Sequence, residues 1–371
     1  MVSSIMHNIS EDTAVTLGNL SSIKRNIRNY RHRKFSDEPL NANFCLPEEW
    51  KTTMGAEPKP FLIFDNKQAD SRILIFASNF ALNILSCAET WFMDGTFKCS
   101  TTIFQQLYVI RGKYKNQIST CVYAFLPNKL KSTYITILQQ VVINCLQTSN
   151  NPKPKYIVMD FEIGAISATK HVFGDSVQVK GCFFHLCQSM WRKIQHLGLS
   201  SVYKNNKNIR INCSMINALA FLPLNEVSSG MAYLYTIIPI ELLLVAKYFD
   251  DIYVSGTSGT PMFSPILWNV FDVTLNGGDR TNNYCEGWNN YFNKLVGTSN
   301  PSFWLVLQCI QQDESTMRIE SIRHEQPNNL TSRKKNKKYA SLQYKLHETI
   351  TSYVNKEITM DIFLNIIGKL L

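Results

Sequence analysis

Short apolar runs alternate with helix-spaced segments between residues 58 and 197, and this alternation constrains the fold more than any other feature. Strand-length apolar runs are at 61–64, 73–76, 90–94, 104–111, 117–126, 155–160 and near 176–182. Apolar residues recur at helical spacing in 77–88, in the segment that begins at residue 132, in 162–172 and in 183–197. From residue 90 the order is three strands, helix, strand, helix, strand, helix. This order predicts an α/β fold in which crossover helices flank a mixed sheet.

Three acidic residues occupy unusual positions in this pattern. Asp94 and Asp160 each close an apolar run, and Glu286 lies in the first turn of a predicted amphipathic helix. A carboxylate at the end of a buried strand costs desolvation energy unless it is paired. Oxygen ligands suit Mg²⁺, and two such ions can clamp the attacking and leaving oxygens of a phosphodiester. The three acids therefore predict a site for two Mg²⁺ or Mn²⁺ ions that acts on nucleic acid.

Each acid also has a structural interpretation. Asp94 before a glycine can begin a turn, and Asp160 can cap the helix predicted at 162–172. Glu286 can face solvent, since a surface glutamate would show the same spacing. The helix that carries Glu286 has a predicted apolar face of Tyr284, Cys285, Trp288, Tyr291, Phe292 and Leu295.

Composition narrows the setting of the chain. Its 371 residues carry a formal net charge of +10, which favours a polyanionic partner or an anionic surface. We expect no membrane span, because the longest apolar stretch, 231–246, is interrupted by Pro239 and Glu241. Ten scattered cysteines and the lack of an apolar leader in residues 1–20 favour a reduced, intracellular setting.

Basic residues suggest where a polyanion is bound. The apolar positions 23, 27 and 30 predict a basic amphipathic helix, which either contacts DNA or is a solvated domain edge. Its cationic residues are Lys24, Arg25, Arg28, Arg31, Arg33 and Lys34. A second basic run at 333–338 can bind phosphate, act as a nuclear localisation signal or form a loop.

Four ordered blocks resemble those of the Mutator-like element (MULE) transposases. The blocks are Trp-Phe-Met-Asp-Gly-Thr-Phe at 91–97, Tyr-Ala-Phe-Leu-Pro at 123–127, Asp160-Phe-Glu with Gly-Cys-Phe-Phe-His-Leu-Cys-Gln at 181–188, and Arg-Thr-Asn-Asn-Tyr-Cys-Glu-Gly-Trp at 280–288. The resemblance covers about residues 60–300. It implies an RNase H-like mixed sheet flanked by helices, interrupted by a mostly helical insertion and followed by a helical C-terminal region.

The resemblance also assigns residues and segments. It implies a DDE triad of Asp94, Asp160 and Glu286 that binds two Mg²⁺ or Mn²⁺ ions. It further implies a Cys-x-x-His element, Cys182 and His185, which we interpret as structural or DNA-contacting. A zinc site is not expected there, because its only further candidate ligands are Cys187, His196 and Cys213. Arg192 and Lys193 either face the phosphate backbone or are solvated.

The expected organisation has five parts. They are a basic segment and linker (1–57), the first part of the catalytic core (58–197), a helical insertion (198–275), the core helix with the third acid (276–300) and a helical region (301–371). Relatives often carry a FLYWCH-type zinc module, and residues 1–44 hold no cysteine that could form one. A truncated copy is therefore one expectation.

The functional prediction is a nuclear DDE transposase that cleaves DNA and joins its ends to a target. Its partners would be transposon ends and target DNA, and it would act as a homo-oligomer on DNA. Two alternatives remain open: a domesticated, non-catalytic DNA-binding or regulatory protein, and an RNase H-like nuclease.

Overall fold

A computed structural model describes residues 37–96, 101–115, 117–148, 151–325 and 337–371. Seven strands form one sheet in the order β1-β2-β5-β4-β3-β6-β7. They are β1 (Leu62–Asp65), β2 (Leu74–Phe76), β3 (Thr90–Thr96), β4 (Gln106–Tyr114), β5 (Gln117–Leu126), β6 (Tyr156–Met159) and β7 (Gln178–Gly181).

Strand β3 lies where the sheet changes direction. Its pairing with β4 is antiparallel, whereas its pairing with β6 is parallel, and β7 continues the parallel part. A parallel pair requires a crossover connection. The segment between β5 and β6 contains such a crossover helix, and so does the segment between β6 and β7.

Helices cover the sheet and make up most of the rest of the chain. They are α1 (Asn79–Cys87), α2 (Lys131–Gln147), α3 (Ile163–Phe173), α4 (Phe183–His196), α5 (Ser200–Asn205), α6 (Lys207–Ala218), α7 (Val227–Ile237), α8 (Leu243–Phe249), α9 (Pro265–Trp268), α10 (Phe271–Leu275), α11 (Asn283–Val296), α12 (Phe303–Glu325), α13 (Lys337–Val354) and α14 (Met360–Leu370). A π-helical turn, Asp250–Val254, follows α8.

Both faces of the sheet are buried. Alternate residues of a strand point to opposite faces, so neighbouring residues belong to different cores. In β2, Ile75 joins the larger apolar core, which continues into the helical segment after α4. Its neighbours Leu74 and Phe76 belong to a second core, in which they meet Trp288 of α11 and Phe303 of α12. The helix that carries the third acid therefore lies on the opposite face from most of the helices.

The predicted fold class is confirmed: the protein is α/β, with a mixed sheet, a mostly helical segment between 198 and 275, and a helical C-terminal region. The division into five domains stays a prediction. Among the described residues, no helix combines the length and apolar character that a bilayer span requires.

Two of the alternative structural interpretations of the acids are excluded. Asp94 does not begin a turn: β3 continues through it, because Asp94 and Gly95 both pair with β4. Asp160 does not cap α3, since Glu162 occupies the N-cap position and makes no side-chain capping bond. The predicted basic helix and residues 333–336 lie outside the described residues, as do the side chains of Lys337 and Lys338.

Candidate active site

The first two acids stand side by side on neighbouring parallel strands. Phe92 of β3 is in register with Val158 of β6, so Asp94 and Asp160 each come two residues after a paired position. Residues two apart share a face of a sheet, and adjacent strands lie about 4.8 Å apart. Asp94 is within β3 and only 7% exposed, whereas Asp160 directly follows β6 and is half-buried.

The third acid reaches the same place through the packing of α11. Buried Cys285, in the first turn of this helix, packs on Phe92 and Val158. The side-chain amide of Asn282, which immediately precedes the helix, donates a 3.0 Å hydrogen bond to the carbonyl oxygen of Met93. These contacts place Glu286 beside the two strand ends, although it lies far along the sequence.

His185 connects two of the acids. It lies in the first turn of α4, which begins directly after β7 and Cys182. Its Nδ1 atom is 2.5 Å from Oδ1 of Asp160, and its Nε2 atom is 3.7 Å from Oε1 of Glu286. The possible ligand atoms of Cys182, His185 and Glu286 all lie within 4.8 Å of one another.

The pKa values reflect this crowding of charge. Burial and the nearby charge of Asp160 raise the pKa of Asp94 to about 7, against the opposing effect of His185. Burial also raises the pKa of Glu286. Burial alone would lower the pKa of His185, but the hydrogen bonds and charges of Asp160 and Cys182 together outweigh it and raise that pKa to about 10. His185 is therefore a cation at neutral pH and partly neutralises the acids.

Both carboxylate oxygens of Asp94 accept a hydrogen bond. Oδ1 accepts from the backbone N–H of Gly95 at 2.8 Å, and Oδ2 accepts from the amide Nδ2 of Asn289 at 2.7 Å. A Cβ atom at Gly95 would lie 2.3 Å from Oε1 of Gln106, so a larger residue there would require the Gln106 side chain to move.

A fourth acid nearby is already paired. Glu162 accepts a hydrogen bond from the hydroxyl of Tyr134 at 2.5 Å, and its other oxygen lies 3.2 Å from Nζ of Lys129. With both oxygens engaged, Glu162 is a weaker candidate for a metal ligand than the other three acids.

The site fits divalent cations on two observations. Oε1 of Glu286 is buried, yet no group among the described residues donates a hydrogen bond to it, since Nε2 of His185 is 3.7 Å away. In addition, two neighbouring acids raise one another's pKa unless a cation lies between them, and carboxylate oxygens are the ligands that Mg²⁺ prefers. Among the described residues, Cys187, His196 and Cys213 do not join the potential ligand group around His185.

The site residues predicted from the sequence do not all lie in one place. The structure brings Asp94, Asp160, Glu286, Cys182 and His185 together. Arg192 is exposed, and Nζ of Lys193 lies 5.1 Å from the centre of the Tyr248 ring, so their DNA contact stays a prediction.

The predicted apolar face of α11 is correct only in part. Cys285, Trp288 and Phe292 are buried, but Tyr284 and Tyr291 are 38% and 43% exposed. Sequence reasoning did not assign a role to Asn282 or Asn289. The only available signal was that Asn289 lies three positions after Glu286, off the apolar face.

Fold and site together define an α/β domain with an acidic pocket at the ends of neighbouring parallel strands. Residues 90–189 match the family model of the MULE transposase domain, and this similarity supports a MULE transposase. The matched segment runs from β3 into α4 and includes Asp94, Asp160, Cys182 and His185, whereas Glu286 lies beyond it. The family match implies DNA as a partner. No curated protein matches the chain.

Proposed function

We propose that this protein is a DDE-type DNA transposase with an RNase H-like catalytic domain. The observation that carries the proposal is the convergence of Asp94, Asp160 and Glu286 from three separate segments around one imidazole. The match of residues 90–189 to the MULE transposase domain supports the same reading. Nuclear localisation and action as a homo-oligomer on transposon ends and target DNA belong to this proposal.

Asp94, Asp160 and Glu286 would hold two Mg²⁺ or Mn²⁺ ions. When bound, such ions supply an activated nucleophile and stabilise the charge that develops on the phosphate. The protein contributes an acid fixed on a buried strand, a second acid at the end of the neighbouring strand and a third on a packed helix. The cationic His185 balances part of their charge while no metal is bound.

The proposed reaction has two steps. Water attacks a phosphodiester at the transposon end and leaves a free 3′-hydroxyl. That hydroxyl then attacks a phosphodiester of the target, so that one bond forms as another breaks. Asp94, Asp160 and Glu286 would serve both steps as metal ligands, because carboxylates repel a phosphate and act on it only through the cations that they hold.

A cleavage assay tests the proposal. The full chain is incubated with Mn²⁺ or Mg²⁺ and a labelled duplex of the DNA that flanks the gene on either side. We expect metal-dependent cleavage that Asp160→Asn abolishes. The matched control is Asp175→Asn, because Asp175 is an exposed acid next to α3 and should be dispensable.

Two other results would overturn the proposal. Metal-independent DNA binding without cleavage would indicate a non-catalytic derivative of a transposase. Cleavage of an RNA–DNA hybrid alone would indicate a nuclease of another kind.

A further inference from the structure

The side chain of Asn289 is the feature of the pocket that the proposed triad leaves unexplained. It lies on α11, three residues after Glu286, and donates a 2.7 Å hydrogen bond from Nδ2 to Oδ2 of Asp94. The helix that carries Glu286 therefore also donates a hydrogen bond to the carboxylate of Asp94. No other described side chain donates to Asp94, since its second hydrogen bond comes from the backbone of Gly95.

The hydrogen bond fixes which way the amide faces. An ionised carboxylate only accepts hydrogen bonds, so in that form of Asp94 the –NH₂ group of Asn289 points at it and the amide oxygen points away. That oxygen, Oδ1, is buried and has no hydrogen-bond partner among the described residues. A buried polar atom of this kind requires a water or an ion that the protein itself does not supply.

A second asparagine provides a comparison. Asn282 makes a similar contact to β3, but its Nδ2 donates to the backbone carbonyl of Met93 rather than to a carboxylate. Asn282 therefore secures the start of α11 to the sheet, and its amide donates to none of the three acids, although its Oδ1 is likewise buried without a partner among the described residues. Asn289 differs, because its partner is one of the groups proposed to hold metal.

We propose that Asn289 is a positioning residue of the metal site. It fixes the orientation of the Asp94 carboxylate, so that each oxygen has one hydrogen bond and keeps a lone pair for a cation. This inference rests on the proposed function, since it assumes that Asp94 binds divalent metal.

Metal binding without DNA tests this role directly. Mn²⁺ is titrated into the full chain, and the heat of binding is measured for the wild type and for Asn289→Leu, which keeps most of the side-chain volume. We expect the dissociation constant for Mn²⁺ to rise about 10- to 100-fold, the usual effect of losing a partner of a metal ligand. Asn289→Ala takes its place if the leucine variant does not fold.

Two control variants separate positioning from general stability. Asn290→Leu changes an exposed asparagine on the same helix and should bind Mn²⁺ like the wild type. Asn269→Ala removes a buried asparagine whose Nδ2 donates a 2.8 Å hydrogen bond to the carbonyl oxygen of Leu222, outside the pocket. It should lower the unfolding temperature yet change the Mn²⁺ dissociation constant less than about threefold. A merely structural Asn289 would behave like Asn269.

The outcomes distinguish the two proposals. If the wild type binds Mn²⁺, and Asp94→Asn loses that binding while Asn289→Leu keeps it, the role of Asn289 is wrong and the triad stands. If the wild type binds no Mn²⁺, both the triad and the role of Asn289 fail.

Discussion

The protein buries acids in two places, and the two places treat them differently. In α12, Oδ2 of Asp313 accepts hydrogen bonds from the Tyr123 hydroxyl at 2.6 Å and from Nε1 of Trp288 at 2.8 Å. In the pocket around His185, Oε1 of Glu286 is buried without a hydrogen-bond donor among the described residues, and Oδ1 of Asp160 has only the imidazole of His185 beside it. Burial alone therefore does not mark a functional acid; the pocket differs because acids from three separate segments meet in it.

The same contrast appears in the electrostatics. Burial raises the pKa of Asp313, and its two hydrogen bonds oppose that rise. For Asp94, a neighbouring carboxylate adds to the effect of burial. Neighbouring carboxylates repel one another and so lower the free energy of unfolding. We therefore expect such a cluster where the protein binds a cation.

The largest expected effect is on the cleavage rate, which should depend strongly on Asp94 in the pocket and only weakly on Asp313 in α12. Asp94→Asn should lower the rate of metal-dependent DNA cleavage about 1000-fold, since losing a metal ligand forfeits several kcal/mol of charge stabilisation. Asp313→Asn should keep the rate within about tenfold at a temperature where the variant is folded. Single-turnover cleavage at saturating Mn²⁺ measures both. Equal losses in the two variants would contradict the distinction.

The second prediction concerns the pH dependence of stability without metal. The pKa of Asp94 is raised from 3.8 to about 7 in the folded state, so its contribution to stability is full below pH 4 and is lost as the pH rises to about 7. Asp94→Asn should therefore stabilise the metal-free protein at pH 8, by up to about 4 kcal/mol, and much less at pH 5.

Urea unfolding at the two pH values tests this. His185 stays protonated across the window, because its pKa is raised to about 10, and so it does not obscure the comparison. If Asp94→Asn is no more stable than the wild type at pH 8, the ionised Asp94 carboxylate does not destabilise the metal-free fold.

The third prediction concerns α12. Asp313→Ala leaves the buried donors of Tyr123 and Trp288 without an acceptor, so the free energy of unfolding should fall by about 3 kcal/mol. Glu320→Ala, an exposed acid on the same helix, should change it by less than about 0.5 kcal/mol. Both values come from urea denaturation, and similar values for the two variants would refute the structural role of Asp313.

The smallest expected effect concerns Glu162, an acid near the pocket whose two carboxylate oxygens already have partners. Glu162→Gln should leave the cleavage rate within about threefold, because Tyr134 and Lys129 occupy both carboxylate oxygens. Its half-exposed ion pair contributes at most about 1 kcal/mol to stability. A loss comparable to that of Asp94→Asn would place Glu162 among the metal ligands.

Much of the fold was predictable because period and length are local properties of a sequence. The strands at 90–94, 117–126 and 155–160 were found within two residues of their observed ends, since each is an apolar run between polar segments. The end of β3 was missed because Gly95 reads as a turn signal, whereas the ladder with β4 holds it in the strand.

The site was less predictable, because it depends on long-range contacts. The spacing of Glu286 predicted its helix, but only the packing of Cys285 on Phe92 and Val158 shows where that helix lies. The contact of Asn289 with Asp94 joins residues 195 positions apart and has no local signature. Tyr284 and Tyr291 fit the apolar spacing yet stay exposed, because the sheet is covered by a narrower stripe of α11 than the pattern suggests.

The order of the three acids along the chain has a consequence for the way the protein is made. Asp94 and Asp160 leave the ribosome early, whereas Glu286 and Asn289 follow more than 120 residues after Asp160. Since domains fold progressively during synthesis, the sheet can form while the pocket still lacks one wall. A nascent chain thus cannot bring the three acids together until α11 has been translated and docked.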